Sequence, residues 1–397
     1  MVIKPSIRSN VFTNAHPEGS RAYVQDLFDQ EKHKGPFEGP ETVLVIGGSS
    51  GYGLASRVAL AAGAKANTVN VSFERPPKGK RTGTAGWWNN IWFQKLAENT
   101  GKTHKDFVMD AFSEETKNTV LEYIKETFGS VDLVIYSLAA GARPDPKTGE
   151  LVRSKIKTIG EPAQGKTIDV AKEQVVPLDV DAASEEEIED TVFVMGGGDW
   201  EAWIRTLEEG DALSYGAKTI SYTYIGGPTT ETIYRGGTLG KAKEDLEKTA
   251  NTLNDRLEST LGGEALISAS KAVVTKASVF IPQMPIYMSC LLDVMKRRNV
   301  HETILEHKYR LFKDMVYGES RHTDKKGRLR MDSYELDETV QNETVEMMDA
   351  LNDDDLMKTY GTKRFFDTFY KIHGFRFETV DYDQDVDMES LAKKEPK

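Results

Sequence analysis

The stretch "TVLVIGGSSGYGLASRVALAAGAK" sets four consecutive apolar residues before a glycine turn and then a run rich in alanine and leucine. A short run with no polar alternation predicts a strand buried on both faces, and the segment after the turn predicts a helix. "NTVNVSF", ending at Glu74, reads as a second strand; "DFVMD", ending at Asp110, as a third; and "VDLVIYSLAA", from Val131, as a fourth. The helix "EETKNTVLEYIKETFG" separates the last two. Between Gly141 and Gly198 the pattern breaks into a polar, turn-rich insertion in which "PKTGE" suits a hairpin tip. Regularity returns with the helix "DWEAWIRTLEEG", for which Asp199 is the expected cap. There follow the strand "AKTISYTYIGG", a helix from about Thr238 to Leu261 with Thr238 as a good cap, the strand "EALISAS" and a long apolar helix after Lys271. Past Val300 the chain becomes charged and helical, and from Asp381 it is acidic and expected to fray. Strands alternating with helices predict an α/β fold: a Rossmann-like, doubly wound parallel sheet with helices on both faces, a polar insertion beside it and a C-terminal helical extension.

Composition narrows the class. With 39% hydrophobic and 29% charged residues over 397 positions, the chain reads as an ordinary globular protein with a core large enough to need no staples. Its single cysteine, Cys290, excludes an internal disulfide and a thiolate-rich metal site, so no metal is expected. A net charge of -12 argues against a nucleic-acid partner, and the basic clusters at 78–81, 153–157 and 296–298 are read as solvated surface. The most apolar stretch, from Ala277 to Met295, is interrupted by Pro282 and Pro285, so no membrane span is expected. "MVIKPSIRSNVF" lacks the apolar core of an export signal, which makes the cytoplasm the expected location.

Gly47, Gly51 and Gly53 between a strand and a helix suit a turn that lets a pyrophosphate approach the backbone at a helix N-terminus. Glu74 ends the second strand, where a carboxylate accepts from ribose hydroxyls and repels a 2'-phosphate; this favours NADH over NADPH, although Arg75 beside it weakens the repulsion. Asp110, at the end of the third strand, should approach the adenine, and Leu138 and Ala139, ending the fourth, the nicotinamide-side ribose.

In "TISYTYIGG" alternation puts Tyr222 and Tyr224 on one face, with Tyr224 nearer the crevice and Tyr222 packed in the core. "YRGGTLGKAK" adds Tyr234 and two lysines. The Tyr-x3-Lys spacing of ordinary carbonyl-reducing short-chain dehydrogenases is absent, because Thr238 stands four residues after Tyr234. On a continuous helix Lys241, seven residues on, would share the tyrosine's face and Lys243, nine on, would not. Gly236 and Gly237 break that helix, so Tyr234 is expected in a turn and spacing no longer chooses between the lysines.

The segments "IGGSSGYGLASR", "FERP", "GTAGWWNN", "DAFS", "VIYSLAA", "VMGGGDWEAWI", "YTYIGG", "YRGGTLGKAK" and "KAVVTKAS" resemble the trans-2-enoyl-CoA reductases and the related V-type bacterial enoyl-ACP reductases, a divergent branch of the short-chain dehydrogenases. The resemblance runs over essentially the whole chain. It implies NADH-dependent reduction of an enoyl thioester on CoA or acyl carrier protein, by a monomer or weak homodimer using Tyr-x8-Lys. Carried over, Tyr234 is the proton donor, Lys243 the cofactor-binding lysine and Tyr224 a second tyrosine at the substrate. The implied cofactor contacts are Gly47, Gly48, Ser49, Ser50, Gly51 and Tyr52 in the glycine turn, then Phe73 and Glu74, Asp110 and Ala111, Leu138 and Ala139. Ala272, Val273, Val274 and Thr275 complete them. As a cation near the tyrosine, Lys243 is expected to lower its pKa. Ala140 and Gly141 stand where the family usually has Ser-Pro, and Trp88 replaces a tyrosine, which bears on lid shape. Ile281, Met284, Ile286 and Met288 are candidates for an acyl channel. The division expected within one extended domain, 1–397, is an arm and glycine-turn region (1–80), a reductase region (81–317, with the insertion at 141–198) and a peripheral subdomain (318–397). A catalytically silent NADH-binding sensor is the remaining alternative.

Overall fold

A computed structural model describes residues 1–391 and 393–397. Helix α1 (Pro17–Lys32) precedes the sheet. The first half of the sheet runs β1 (Thr42–Ile46), α2 (Gly51–Val58), β2 (Asn67–Ser72), α3 (Ala85–Ala97), β3 (His104–Val108), α4 (Glu114–Thr127) and β4 (Val131–Tyr136). Two antiparallel hairpins follow, β5 (Ala142–Pro144) with β6 (Leu151–Arg153), and β7 (Ala163–Asp169) with β8 (Gln174–Val180). The chain then makes α5 (Glu185–Met195), α6 (Gly198–Glu209), β9 (Leu213–Thr223), α7 (Thr238–Leu261), β10 (Glu264–Ala269), α8 (Met284–Arg297) and α9 (Ile304–Arg310). β11 (Leu329–Arg330), α10 (Glu338–Ala350) and α11 (Tyr360–Lys371) are contributed by the C-terminal segment.

The strands β11-β10-β9-β4-β1-β2-β3 form one sheet, parallel throughout. Every residue of β1 is buried, as expected for a strand packed on both faces, and separate apolar clusters cover the two sides. Chain order reverses between β1 and β4, and at such a switch point the strand ends open into a crevice.

Three local expectations are corrected. Asp199 does not cap α6: Gly197 holds the cap position, while the buried Asp199 carboxylate accepts from Tyr136 Oη at 3.1 Å and pairs with Lys117 at 3.1 Å. Thr238 is the first residue of α7, with Gly237 as the cap; its hydroxyl donates to Lys155 O, which ties the insertion to the helix. The apolar helix begins only at Met284, because residues 272–283 form a loop holding a single 3-10 turn at Ser278–Phe280. Pro285 suits the first turn of a helix, and Gln283 ahead of it is left-handed at φ 66°. Ile286 therefore packs fully buried away from the crevice, and Met288 faces a small cavity of about 100 Å³ beside Leu291 and Met295.

Candidate active site

A cleft of about 710 Å³ opens where the chain order reverses. One wall is the glycine turn. Gly47 has φ +93°, and a Cβ there would stand 2.3 Å from Ser137 O; a Cβ on Gly53 would meet Gly47 O at 2.1 Å. Only glycine lets β1, the turn and the end of β4 close so tightly. The N-terminus of α2 carries no side-chain cap, so its first N–H groups stay available to an anion.

Below the turn lies a buried polar network that the sequence reading did not identify. Asn70 Oδ1 accepts from Gly48 N at 2.8 Å, and Asn70 Nδ2 donates to Asp106 at 2.7 Å. Asp106 pairs with Arg57 at 2.7 Å, both fully buried. Asn89 donates to Ser49 O at 3.0 Å, and Asn90 to Ser72 Oγ at 3.0 Å. The polar dipeptide Asn89-Asn90 after two tryptophans, and an asparagine inside an apolar strand, were the available signals.

Glu74 is held at the cleft edge, accepting from Ser49 Oγ at 2.6 Å and from Thr84 Oγ1. Phe73 beside it is 77% exposed, a free aromatic face at the cleft. Gly47, Ser49, Ser50, Gly51, Tyr52, Leu138, Ala139, Ala272, Val273 and Thr275 line the cleft as well. Gly48, turned to Asn70, and Val274, packed in the core, back the wall without lining it. Asp110 and Ala111 also lie outside the lining: Asp110 accepts from Phe112 N at 3.0 Å, and Ala111 O accepts from Trp203 Nε1 at 3.0 Å. Trp88 is buried and donates to Thr82 O at 2.7 Å, away from the cleft, whereas Ala140 and Gly141 line it.

On the opposite wall Tyr224, one residue past β9, and Tyr234 meet edge to face with ring centroids 4.7 Å apart. Tyr234 lies in a turn, its carbonyl accepting from Gly240 N at 2.9 Å. Burial raises the pKa of both phenols, so each remains a proton carrier. Lys243 lines the cleft, its Nζ donating to Tyr222 O at 3.4 Å. Lys241 is exposed and pairs with Glu244 at 3.0 Å, so the two lysines part company at the first turn of α7. Burial draws Lys243 down to about 8, with Glu247 pulling it up and Arg235 pushing it down. The cation that bears on Tyr234 is Arg235, clamped by Glu247 at 2.8 and 3.0 Å; the expected pull from Lys243 is not found, because its ammonium is directed to the end of β9. Tyr222 both packs in the core, bonded to Ser56 at 2.6 Å, and touches the cleft. Ile281 and Met284 line the cleft's apolar side together with Phe280.

A doubly wound sheet with a glycine turn at its switch point, facing two tyrosines and a lysine, defines the class: a dinucleotide-dependent oxidoreductase. Residues 81–317 match the family model described as the trans-2-enoyl-CoA reductase catalytic region, and residues 2–79 the one described as the NAD(P)H binding domain of trans-2-enoyl-CoA reductase. The chain belongs to the trans-2-enoyl-CoA reductase family. It is 44% identical to the trans-2-enoyl-CoA reductase [NADH] of Clostridium beijerinckii over 100% of both chains. It is also 44% identical to an enoyl-[acyl-carrier-protein] reductase [NADH] of Photobacterium profundum over 99% of both. The crystal structure of the Clostridium acetobutylicum trans-2-enoyl-CoA reductase with NADH superposes with a TM-score of 0.97 at 43% identity, covering 100% of each chain.

Residues 323–386 match a family model described as an enoyl reductase FAD binding domain. The residues present do not fit a flavin. No residue of that segment lines the 710 Å³ cleft, and the cavity that Arg364, Thr368 and Lys371 help to line is about 100 Å³, too small for a flavin. Phe365, Phe366 and Phe369 of the same segment are buried in the core.

Proposed function

We propose that the protein reduces the trans-2 double bond of enoyl-CoA thioesters to the saturated acyl-CoA, with NADH as the electron source, in fatty-acid metabolism. The observation that carries this reading is the convergence of Tyr224, Tyr234 and Lys243 on one cleft with the glycine turn. Bound NADH supplies the hydride taken up by the β-carbon of the substrate, a transfer that leaves negative charge on the thioester oxygen. Tyr224 hydrogen-bonds that oxygen, and stabilising it is the main electrostatic task. Tyr234 gives its Oη proton to the resulting enolate and recovers one from solvent. Lys243 holds the cofactor with its ammonium, the free N–H groups of α2 receive the pyrophosphate, and Glu74 accepts from the adenosine ribose. Gly48, Asp110, Ala111 and Val274 complete the cofactor site from behind the lining.

Acyl carrier protein as the carrier is the second reading, favoured by the Photobacterium profundum relative's name. The reading also takes the chain as one extended domain, 1–397, divided near residues 80 and 317. Family-model bounds of 2–79 and 81–317 support that division. It acts in the cytoplasm as a monomer or weak homodimer; among the described residues no helix is long and apolar enough to cross a membrane.

The test is NADH oxidation with C4 to C12 enoyl-CoA, repeated with enoyl-carrier protein. Turnover on CoA thioesters that falls roughly 10²- to 10⁴-fold in Tyr234→Phe is the expected result. NADH binding without consumption overturns it in favour of a silent sensor.

A further inference from the structure

Glu335, on the segment between β11 and α10, is fully buried, and no cation among the described residues lies within ion-pair distance of it. Its carboxyl group meets three partners. Ala272 N donates to Oε2, Tyr287 Oη lies 2.7 Å from Oε1, and Tyr224 Oη lies 2.8 Å from Oε1. Two of these contacts have a fixed direction. A backbone N–H can only donate; and Tyr287 already accepts from Gln341 Nε2 at 2.9 Å, which leaves its own proton for Glu335. Only the Tyr224 contact can reverse. An ionised carboxylate accepts from all three and turns the Tyr224 proton away from the cleft. A carboxylic acid with its proton on Oε1 still accepts from Ala272 and Tyr287 but donates to Tyr224 Oη, which leaves the Tyr224 proton to point into the cleft.

We propose that Glu335 is a positioning residue for Tyr224: protonated, it sets Tyr224 as a donor to the substrate's thioester oxygen; ionised, it holds that donor back. The switch exchanges donor and acceptor roles along one hydrogen bond, and neither phenol changes charge. It rests on the reading of Tyr224 as the tyrosine that faces substrate. Burial raises the pKa of Glu335, opposed by Ala272 N, Tyr287, Tyr224 and the more distant Lys271. Tyr52 from α2 also senses its charge, and on its own segment Asp332 is occupied by Arg330 at 2.8 Å.

The test is the pH profile of kcat for the full chain at saturating NADH and crotonyl-CoA, from about pH 5.5 to 9. Wild type should lose kcat as Glu335 ionises. The amide of E335Q keeps an acceptor for Ala272 N and, with Nε2 in place of Oε1, donates to Tyr224 at every pH while Tyr287 loses its acceptor, so the alkaline fall of kcat should be lost or move to higher pH, with an NADH KM within about twofold of wild type. Tyr287→Phe removes a donor to the carboxylate, raises the Glu335 pKa and should shift the wild-type fall to higher pH. Tyr224→Phe should lower kcat and make the profile indifferent to E335Q. Superimposable wild-type and E335Q profiles overturn the role of Glu335 while Tyr224 keeps its own. Full kcat in Tyr224→Phe overturns the Tyr224 reading beneath it. Should E335Q fail to fold, Tyr287→Phe decides alone, and an unmoved fall overturns the proposal.

Discussion

At the scale of single residues, Lys243 is a group in the cleft that changes charge near neutral pH. Burial lowers its pKa to about 8, so it is charged below that pH and neutral above. Cofactor held by its ammonium therefore binds less tightly as pH rises through 8, and the NADH KM should climb there. Replacing Glu247 with Gln removes the carboxylate that supports the charge and frees Arg235 and Arg328 from it. Both effects push the lysine pKa lower, so the climb should begin at lower pH; a climb moved upward would contradict the assignment. Lys243→Met should abolish the pH dependence along with tight NADH binding, whereas Lys241→Met, on the exposed face, should change the NADH KM by no more than about twofold. The glycine pair made the choice of lysine legible as a question, since it broke the helix that would have favoured Lys241. Its answer needed the fold, because only the start of α7 at Thr238 fixes which lysine faces inward.

At the scale of elements, the loop 272–283 and the first turn of α8 form the cleft's apolar side through Ile281 and Met284. Met284→Phe should cut kcat/KM for C8 to C12 enoyl-CoA more than for crotonyl-CoA; equal losses would remove Met284 from the acyl path. Met288→Phe makes the comparison, since Met288 faces the small cavity behind the helix. It should lower stability by roughly 1–3 kcal/mol through overpacking, with no dependence on chain length. The strands β1, β2, β4, β9 and β10 and the helices α4 and α7 were legible because apolar runs and 3.6-residue patterns are local signals. The start of α8 differs from the expectation because an apolar loop and an apolar helix look alike in composition; Pro285, in the first turn, marks where the helix begins. The hairpin β7–β8 was not singled out, since its exposed, polar alternation resembles that of a loop. Asn70, Asn89, Asn90, Asp106 and Glu335 were missed for a different reason: their partners lie tens to hundreds of residues away, and no local pattern encodes such pairings.

At the scale of the whole molecule, the two ends of the chain are stitched together. Phe12 stacks on His373 with ring centroids 4.2 Å apart, and His16 N donates to His373 O at 3.0 Å. His373 is one of five histidines whose pKa burial lowers, with His16, His104, His301 and His307. Burial is the first cause in each case, lowering His104 and His301 to about 4 and His307 and His373 to about 3. In the unfolded chain these groups take up protons near the ordinary value of 6.5. Between 6.5 and the folded values the unfolded state binds more protons, so stability falls as pH drops, by up to about 1.4 kcal/mol per pH unit for each histidine. Glu302, held down to about 2 by His307 and Arg310 against its own burial, extends the loss: its stabilisation is complete above the ordinary carboxylate range and disappears as pH falls through 2. The raised pKa of Glu335 works the other way, since the folded state takes up its proton first. Burial raises Glu31, Asp106 and Asp199 as it does Glu335, but the five histidines, with Glu247, Glu264 and Glu302 held low, outnumber these, so Tm should decline from pH 6.5 to 4 at constant ionic strength. His373→Gln should make that decline shallower by about one proton's worth, while lowering Tm at pH 7 through the lost Phe12 contact. A Tm that is flat over this range, or a slope unchanged in His373→Gln, would mean that the histidines are already protonated in the folded state and that water reaches the junction of the two chain ends.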